Sequence, residues 1–384
     1  KLLDRPQVID RIRALIPDPD RAHLVPFMTT WDDRELTMRI GIPMYGADPA
    51  HAVYGTKSEG RKLFAAAGIR HPAGSEDLRS RSDAVKALAR LRAQDPNLRR
   101  AIIKHNEGVS GFGNTVVDFS GLAPDASEAD IDALLDDLSI DQLVGGVDDY
   151  FATLEKEGGI VEAMVDAESI SSPSVQLRIT PLGDVELLST HDQILGGESG
   201  QVFMGSSFPA KPGYARQISA SARKVGEQLA ERGVIGRFAL DYIVVERPDG
   251  SWEDHAIEIN LRKGGTTHPF LTLQFLTDGR YDEDRAVFVA PSGREKYYVA
   301  SDHMFVEGIE VLTPADLLEI ALQRDLHFDQ SRQVGSVFHM LSAMPTHGYV
   351  GVTCVGDSEQ EAQERYDEVF RVLMEEVAAI RTLL

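Results

Sequence analysis

The chain has 384 residues, 42% of them hydrophobic, and its 39 basic against 61 acidic side chains give a net charge of −22. That length supplies two or three domains and a large core, while the charge argues against a nucleic-acid or anionic-membrane partner, so any anionic substrate must be held by a local basic cluster. One cysteine, Cys354, excludes a disulfide framework and a thiolate-rich metal site within one chain and fits a reducing cytoplasm.

No apolar run approaches the roughly 20 residues that span a bilayer, and the opening "KLLDRPQVID" lacks a signal-peptide core. The chain begins at Lys1 without Met, which leaves room for an upstream segment. "RPQVIDRIRALI" has helical spacing, and "AHLVPFMTT" reads as a short buried strand followed by a loop, together the pattern of an α/β segment. Residues 56 to 71 read as a helix opened by Thr56 or Ser58 and stopped by Gly68, and "DLRSRSDAVKALARLRA" as another. The strand "RRAIIKH" then runs into the loop "NEGVSGFGN" and out through "TVVDF". The acidic stretch from 125 to 158 reads as helices with a solvated face. Strands follow at "GIVEAMV", "SVQLRITP", "DVELLSTHDQIL" and "VFMGSSF", then the helix "YARQISASARKVGEQLAERG". Glycine-and-aspartate turns at 182–184 and 248–250 predict hairpins.

The glycine loop is neither of the common nucleotide motifs. No Gly-Lys-Ser/Thr follows it, and a strand follows where a dinucleotide fingerprint requires a helix. It reads either as a surface hairpin or as a flap whose backbone amides close over phosphate oxygens. Lys104 on the incoming strand, together with Lys57, supplies the point charges that polyphosphate would need.

The second constellation is "ALDYIVVERPDGSWEDHAIEIN LR". Asp241 and Glu258 fall on two strands joined by a tight turn, which predicts antiparallel neighbours with facing carboxylates. Glu258, Asn260 and Arg262 alternate with apolar residues and so share one strand face. A solvated face accounts for Glu258 but poorly for Asn260 and Arg262 in the same row. Two carboxylates and an amide oxygen are hard oxygen ligands suited to Mg²⁺ that bridges nucleotide phosphates, and no His or Cys cluster offers a zinc site.

In chain order, Lys57, Lys104 with its glycine loop, "VEAMV" with Glu162, Asp241 and Glu258-x-Asn260-x-Arg262 resemble the signature of the ATP-grasp superfamily of carboxylate-amine ligases. The resemblance covers residues 25 to 270, and "RKGGTTHPF", "GSVFHML" and "GYVGVTCVGDS" resemble the C-terminal region of the pheganomycin-type peptide ligases. It implies an α+β ATP-grasp fold: an α/β segment over 1–56, a small subdomain over 57–160, a large one over 161–275 and a family-specific α+β domain over 276–384.

Carried across residue by residue, the resemblance places Lys57 and Lys104 on the α- and β-phosphates of ATP and Gly108, Ser110, Gly111 and Gly113 over the β- and γ-phosphates. Glu162 would receive the adenine amino group, the backbone of Ala163 and Met164 would contact the ring, and Glu168 would hold the ribose. Asp241, Glu258 and Asn260 would hold Mg²⁺, and Arg262, with Lys104, would act in catalysis. Ser189, His191 and Gln193 fall where related enzymes line the acceptor pocket; His191 reads equally as a satisfied polar residue at a strand edge. Gly264, Gly265, Thr266, Thr267 and His268 border the carboxylate donor or form a structural glycine turn. The implied partners are a small-molecule carboxylic acid and an amine, with no nucleic acid and no membrane, and the family admits a homodimer. Other ATP-grasp chemistry, or an ATP-binding regulatory protein without turnover, are the competing readings.

Overall fold

The computed structural model describes residues 2–108, 113–123, 125–138, 146–167, 169–196 and 202–383. Ser110, Gly111 and Glu168 lie outside them, so the parts proposed for these three residues are not placed by the structure. Among the described residues no helix is long and apolar enough to cross a membrane. The chain divides into two compact units, one of residues 1–170, 177–186 and 220–263, the other of 171–176, 187–219 and 264–384.

The first unit is built on a four-stranded antiparallel sheet of β1 (Gly74–Leu78), β2 (Arg100–His105), β3 (Asn114–Asp118) and β4 (Gly159–Ala163), in the order β1-β4-β2-β3. Alternation divides its two faces. Ala101, Ile103, Val117 and Val161 point into a buried cluster with Leu88 and Leu91 of the helix Arg81–Gln94, Ile131 of Glu128–Leu134 and Leu154 of Val147–Glu157. Ile102, Lys104, Ile160 and Glu162 take the opposite face, the one met by Arg61 from the helix Lys57–Ala66. That helix starts where Thr56 accepts a hydrogen bond from the amide of Glu59, satisfying one of the orphan donors of the first turn.

The strands Gly236–Glu246 and Trp252–Asn260 form the predicted antiparallel hairpin. Phe238, Leu240, Tyr242 and Val244 are its core face, while Arg237 and Asp241 are only partly covered. Gly236 has φ +98, and a Cβ there would come 2.6 Å from Cα of Gly46, so only glycine lets the N-terminal segment lie against this strand.

That segment departs from the sequence expectation. Among its described residues it holds the helices Pro6–Ala14 and Trp31–Ile40 but no strand, only an isolated parallel bridge between Leu24 and Met44. Pro26 and Pro43 lack the amide donors a ladder needs, and Phe27 and Met28 are exposed.

The second unit carries antiparallel strands in the order Val202–Phe208, Glu295–Phe305, Tyr349–Gly356, Gly335–His339. The helices Glu359–Leu383 and Pro314–Gln323 cover them through a core that includes Val352, Cys354, Leu317, Val369 and Leu373. A second, aromatic cluster gathers Phe208, Phe270, Phe288 and Tyr298.

Candidate active site

The first unit brings the phosphate-binding and metal-binding candidates together. Lys57, buried at the start of its helix, donates from Nζ to the carbonyl oxygen of Gly108 at 2.8 Å and lies 3.4 Å from Oε1 of Glu258. One ammonium thus joins the root of the glycine loop to the hairpin that carries Asp241 and Asn260.

The hairpin is not regular. A register shift between Ala256 and Glu258 sets Glu258 directly opposite Asp241, where unbroken pairing from Ala256 and Tyr242 would set it opposite Leu240. A bulge of this kind re-aims a side chain, and here it places two like charges across the ladder, a destabilising arrangement unless a cation sits between or beside them. Lys57 covers one of them, and Asn260 Nδ2 donates to Oδ2 of Asp241 at 2.8 Å. Among the described residues no group of three or more His, Cys, Asp or Glu side chains forms a metal cage. Two carboxylates with an amide oxygen suit Mg²⁺, which keeps several waters and shares its remaining positions with phosphates.

Arg262 corrects the sequence reading. The strand ends at Asn260, the amide of Arg262 donates back to the Asn260 carbonyl at 2.8 Å, and Arg262 lies in a bend beyond the strand. It therefore does not continue the row of Glu258 and Asn260. Its Nη1 donates to the Lys263 carbonyl at 2.9 Å, and no carboxylate pairs with it among the described residues.

Lys104 and Glu162 form a buried ion pair on the inner face of the sheet, and Arg61 Nη1 reaches the other carboxylate oxygen at 3.0 Å. Both oxygens of Glu162 are thus engaged inside the protein, and the amides of Ala163 and Met164 donate to the carbonyls of Ala73 and Arg100. Arg61 also bonds Glu76 and the Pro72 carbonyl. Arg61→Met leaves Glu162 with one of its two cations and should cost about 3 kcal/mol, read as a lower urea midpoint at constant slope. A loss under about 0.5 kcal/mol, the range of ordinary surface substitutions, would show that Arg61 is not part of the buried network.

The roots of the glycine loop are clamped. The amide of Asn106 donates to the Gly158 carbonyl at 3.0 Å, and its side-chain oxygen accepts from the backbone amide and hydroxyl of Ser58. Gly113 has φ +79 and leaves 2.9 Å between a would-be Cβ and the His105 ring, while Tyr150 donates its hydroxyl to the carbonyls of Ile103 and Gly113. Arg61, Asn106 and Tyr150 escaped the sequence reading because each holds the site through a partner at least 37 residues away; the one available signal was an arginine on the apolar side of its helix.

The substrate candidates of the second unit behave differently. His191 is fully buried among Phe208, Phe270 and Tyr298, so it lines no open pocket, and the expectation that it faces a substrate is corrected. Three consecutive residues of its strand, Ser189, Thr190 and His191, are fully buried; with neither face wet, alternation gives no access. Burial lowers the His191 pKa to about 3. The folded ring stays neutral while the unfolded chain takes up a proton below about pH 6.5, so stability is complete above pH 6.5 and falls as the pH drops towards 3. Between pH 7 and 5 this group should cost about 2 kcal/mol, and His191→Phe should flatten that part of the urea-midpoint profile. An unchanged profile would mean that the ring is not sealed.

Gln193 is half-buried, and its amide donates to the Ser172 carbonyl at 3.0 Å. In the Gly264–His268 stretch, the Gly264 amide donates to Oγ1 of Thr267 at 3.0 Å, Thr266 and Thr267 are buried at the start of the helix Thr267–Thr277, and exposed His268 packs on His339. The geometry here is that of a structural turn opening a helix.

Known proteins place this arrangement. The family described as "IQCH-like, ATP-grasp" matches residues 49–130 and 146–283, and the "PGM1 C-terminal domain" matches 316–369. The L-propargylglycine–L-glutamate ligase of Streptantibioticus cattleyicolor is 28% identical over 377 residues, 97% of this chain and 74% of that protein. Among solved structures, the biotin carboxylase–β-γ-ATP complex from Campylobacter jejuni superposes with a TM-score of 0.61 at 12% identity, covering 96% of this chain and 81% of that one. The biotin carboxylase domain dimer of Hydrogenobacter thermophilus 2-oxoglutarate carboxylase, in complex with MgADP and bicarbonate, gives 0.59 at 14% identity over 94% and 76%. With more than half of its residues matched, and with the α+β fold of these structures, the chain belongs to the IQCH-like ATP-grasp family.

Proposed function

We propose that the protein joins a small-molecule carboxylic acid to the amine of an amino acid or peptide, through an acyl phosphate, in the assembly of a peptide natural product. It is an ATP-grasp ligase forming C–N bonds, with ATP and Mg²⁺ as its cofactors. The observation that carries the reading is the single ammonium of Lys57 bonded to the glycine-loop root at Gly108 and paired with Glu258 of the hairpin. The relative that spans nearly the whole chain is a ligase of two amino acids by its name.

The chemistry follows from these parts. A carboxylate resists amines because oxide is a poor leaving group. Transfer of the γ-phosphoryl group of ATP to a carboxylate oxygen releases ADP and makes an acyl phosphate, whose C–O bond then breaks as the amine forms the amide and phosphate departs. Lys57 and Lys104 would exchange their carboxylate partners for phosphate oxygens, and the guanidinium of Arg262, which no carboxylate holds among the described residues, would meet the phosphoryl group in transit. Mg²⁺ held by Asp241, Glu258 and Asn260 would supply charge neutralisation on the phosphates. No protein nucleophile is needed; positioning and electrostatics carry the rate.

A panel of acids and amines tests this through ADP release, with hydroxylamine replacing the amine. The expected result is ADP and a hydroxamate that depend on the acid. Release of AMP and pyrophosphate would point to an acyl adenylate and end the phosphoryl-transfer reading, and ATP binding without turnover against the whole panel would favour a regulatory protein.

A further inference from the structure

Within the first unit, the bend after the hairpin and the N-terminal segment enclose a cavity of about 30 Å³ lined by Phe27, Thr29, Tyr45, Arg237, Arg262 and Lys263, among others. It contains three basic side chains and no acidic one, in a chain whose net charge is −22. Among the described residues no carboxylate pairs with the partly buried Arg237, Arg262 or Lys263, although the buried Lys57, Arg61 and Lys104 of the same unit each have an acidic partner. Lys263 donates to the Val25 carbonyl at 3.3 Å, and its amide donates to the Phe27 carbonyl at 3.1 Å, which ties the bend to the N-terminal segment. Burial, and then the neighbouring Arg237, lower the Lys263 pKa; burial and Arg178 lower that of Arg237. Cations gathered at such a cost in self-repulsion, with no carboxylate paired to them among the described residues, are arranged for an anion that comes from outside.

The place of the cavity gives the anion its role. Arg237, Ala239 and Asp241 alternate along one strand, so Arg237 shares the face of the metal-ligand carboxylate and sits four residues, roughly 13 Å, along the strand from it. Ala239 between them projects only a methyl group. A reacting carboxylate belongs at the Asp241 end; an anion at Arg237 is a second group of a bound molecule. About 30 Å³ accommodates about two water-sized spheres, or the two oxygens of one carboxylate.

We propose that this cavity, with Arg237 as its central residue, binds a carboxylate that does not react, carried by an amino-acid or peptide substrate, and so selects substrates that bear one. The proposal rests on the ligase reading above and adds the substrate class and the residue that recognises it. Arg237 is a binding and specificity residue that has no part in nucleotide binding.

The test uses the full chain, with Arg237→Gln and Arg237→Lys, and follows thermal melting with the common amino acids, their carboxamides and succinate as probes, each with and without a non-hydrolysable ATP analogue and Mg²⁺. At least one amino-acid carboxylate should raise the wild-type melting temperature where its carboxamide does not. Arg237→Gln should weaken that binding roughly 10- to 100-fold, the scale of a lost charge-assisted pair, and Arg237→Lys should retain part of it. In turnover the loss should fall on KM for the carboxylate-bearing substrate, and comparing carboxamides of the acid and of the amine shows which of the two bears the group. The apo protein should melt no lower in Arg237→Gln, because a repulsion has been removed. Equal stabilisation of wild type and Arg237→Gln, no preference for carboxylate over carboxamide, or a fall in apo melting as large as the loss of binding would overturn the proposal. Failure of the ATP analogue to bind would count against the ligase reading instead, since the carboxylate arm is read without nucleotide as well.

Discussion

Arg262→Lys is expected to lower turnover by roughly 10²-fold, the scale of one charge-stabilising donor lost from a transition state. The side chain lies just past the strand that carries Glu258 and Asn260, and no carboxylate neutralises it among the described residues. A planar fork can meet two oxygens of a phosphoryl group in transit; an ammonium meets them as a point charge. Affinity for ATP should change far less, because Lys57 and Lys104 remain. For an ordinary surface residue, the same substitution would shift stability by at most about 0.5 kcal/mol and leave activity intact. ADP release with a competent acid and amine separates the two outcomes, and near wild-type turnover would remove Arg262 from the catalytic set.

Asp241→Asn should lower turnover by roughly 10² or more on the same scale and should raise the Mg²⁺ concentration needed for half-maximal rate. The register shift that sets Asp241 across from Glu258 makes the two carboxylates mutually repulsive, so their pairing is a cost to the apo protein that a bound cation offsets. The substitution keeps the shape and removes one charge, and the melting temperature without Mg²⁺ should not fall. Stabilisation by Mg²⁺ with nucleotide should shrink. A drop in apo stability that matches the drop in rate would make Asp241 a structural residue.

Much of this site was legible because its parts are local. Lys104 follows the short apolar run Ala101-Ile102-Ile103 on its strand, the glycine loop comes at once after it, and the Pro248-Asp249-Gly250 turn announces the hairpin. The geometry that brings the candidate residues together was not local. The shift after Ala256 that brings Glu258 to Asp241 leaves no mark in the pattern, and the strand's end at Asn260 turns Arg262 out of the row in which simple alternation had placed it. Arg61 and Asn106 act through contacts that only the folded chain creates, and Arg237, on the strand of Asp241, lines a cavity with Lys263, 26 residues later, a proximity that no local pattern marks. β1 went unread because "GSEDL" is polar and lies at a sheet edge, where one ladder suffices. His191 was a substrate candidate only through the family resemblance, weighed equally against a polar residue at a strand edge; the strand is covered on both sides there, which no local pattern announced.

The most direct test of the central claim follows oxygen. With an acid that supports ADP release, prepared with ¹⁸O in its carboxylate, and a competent amine, the account predicts that one labelled oxygen leaves in inorganic phosphate and the other stays in the amide. Label in AMP, or unlabelled phosphate formed alongside the amide, would contradict it.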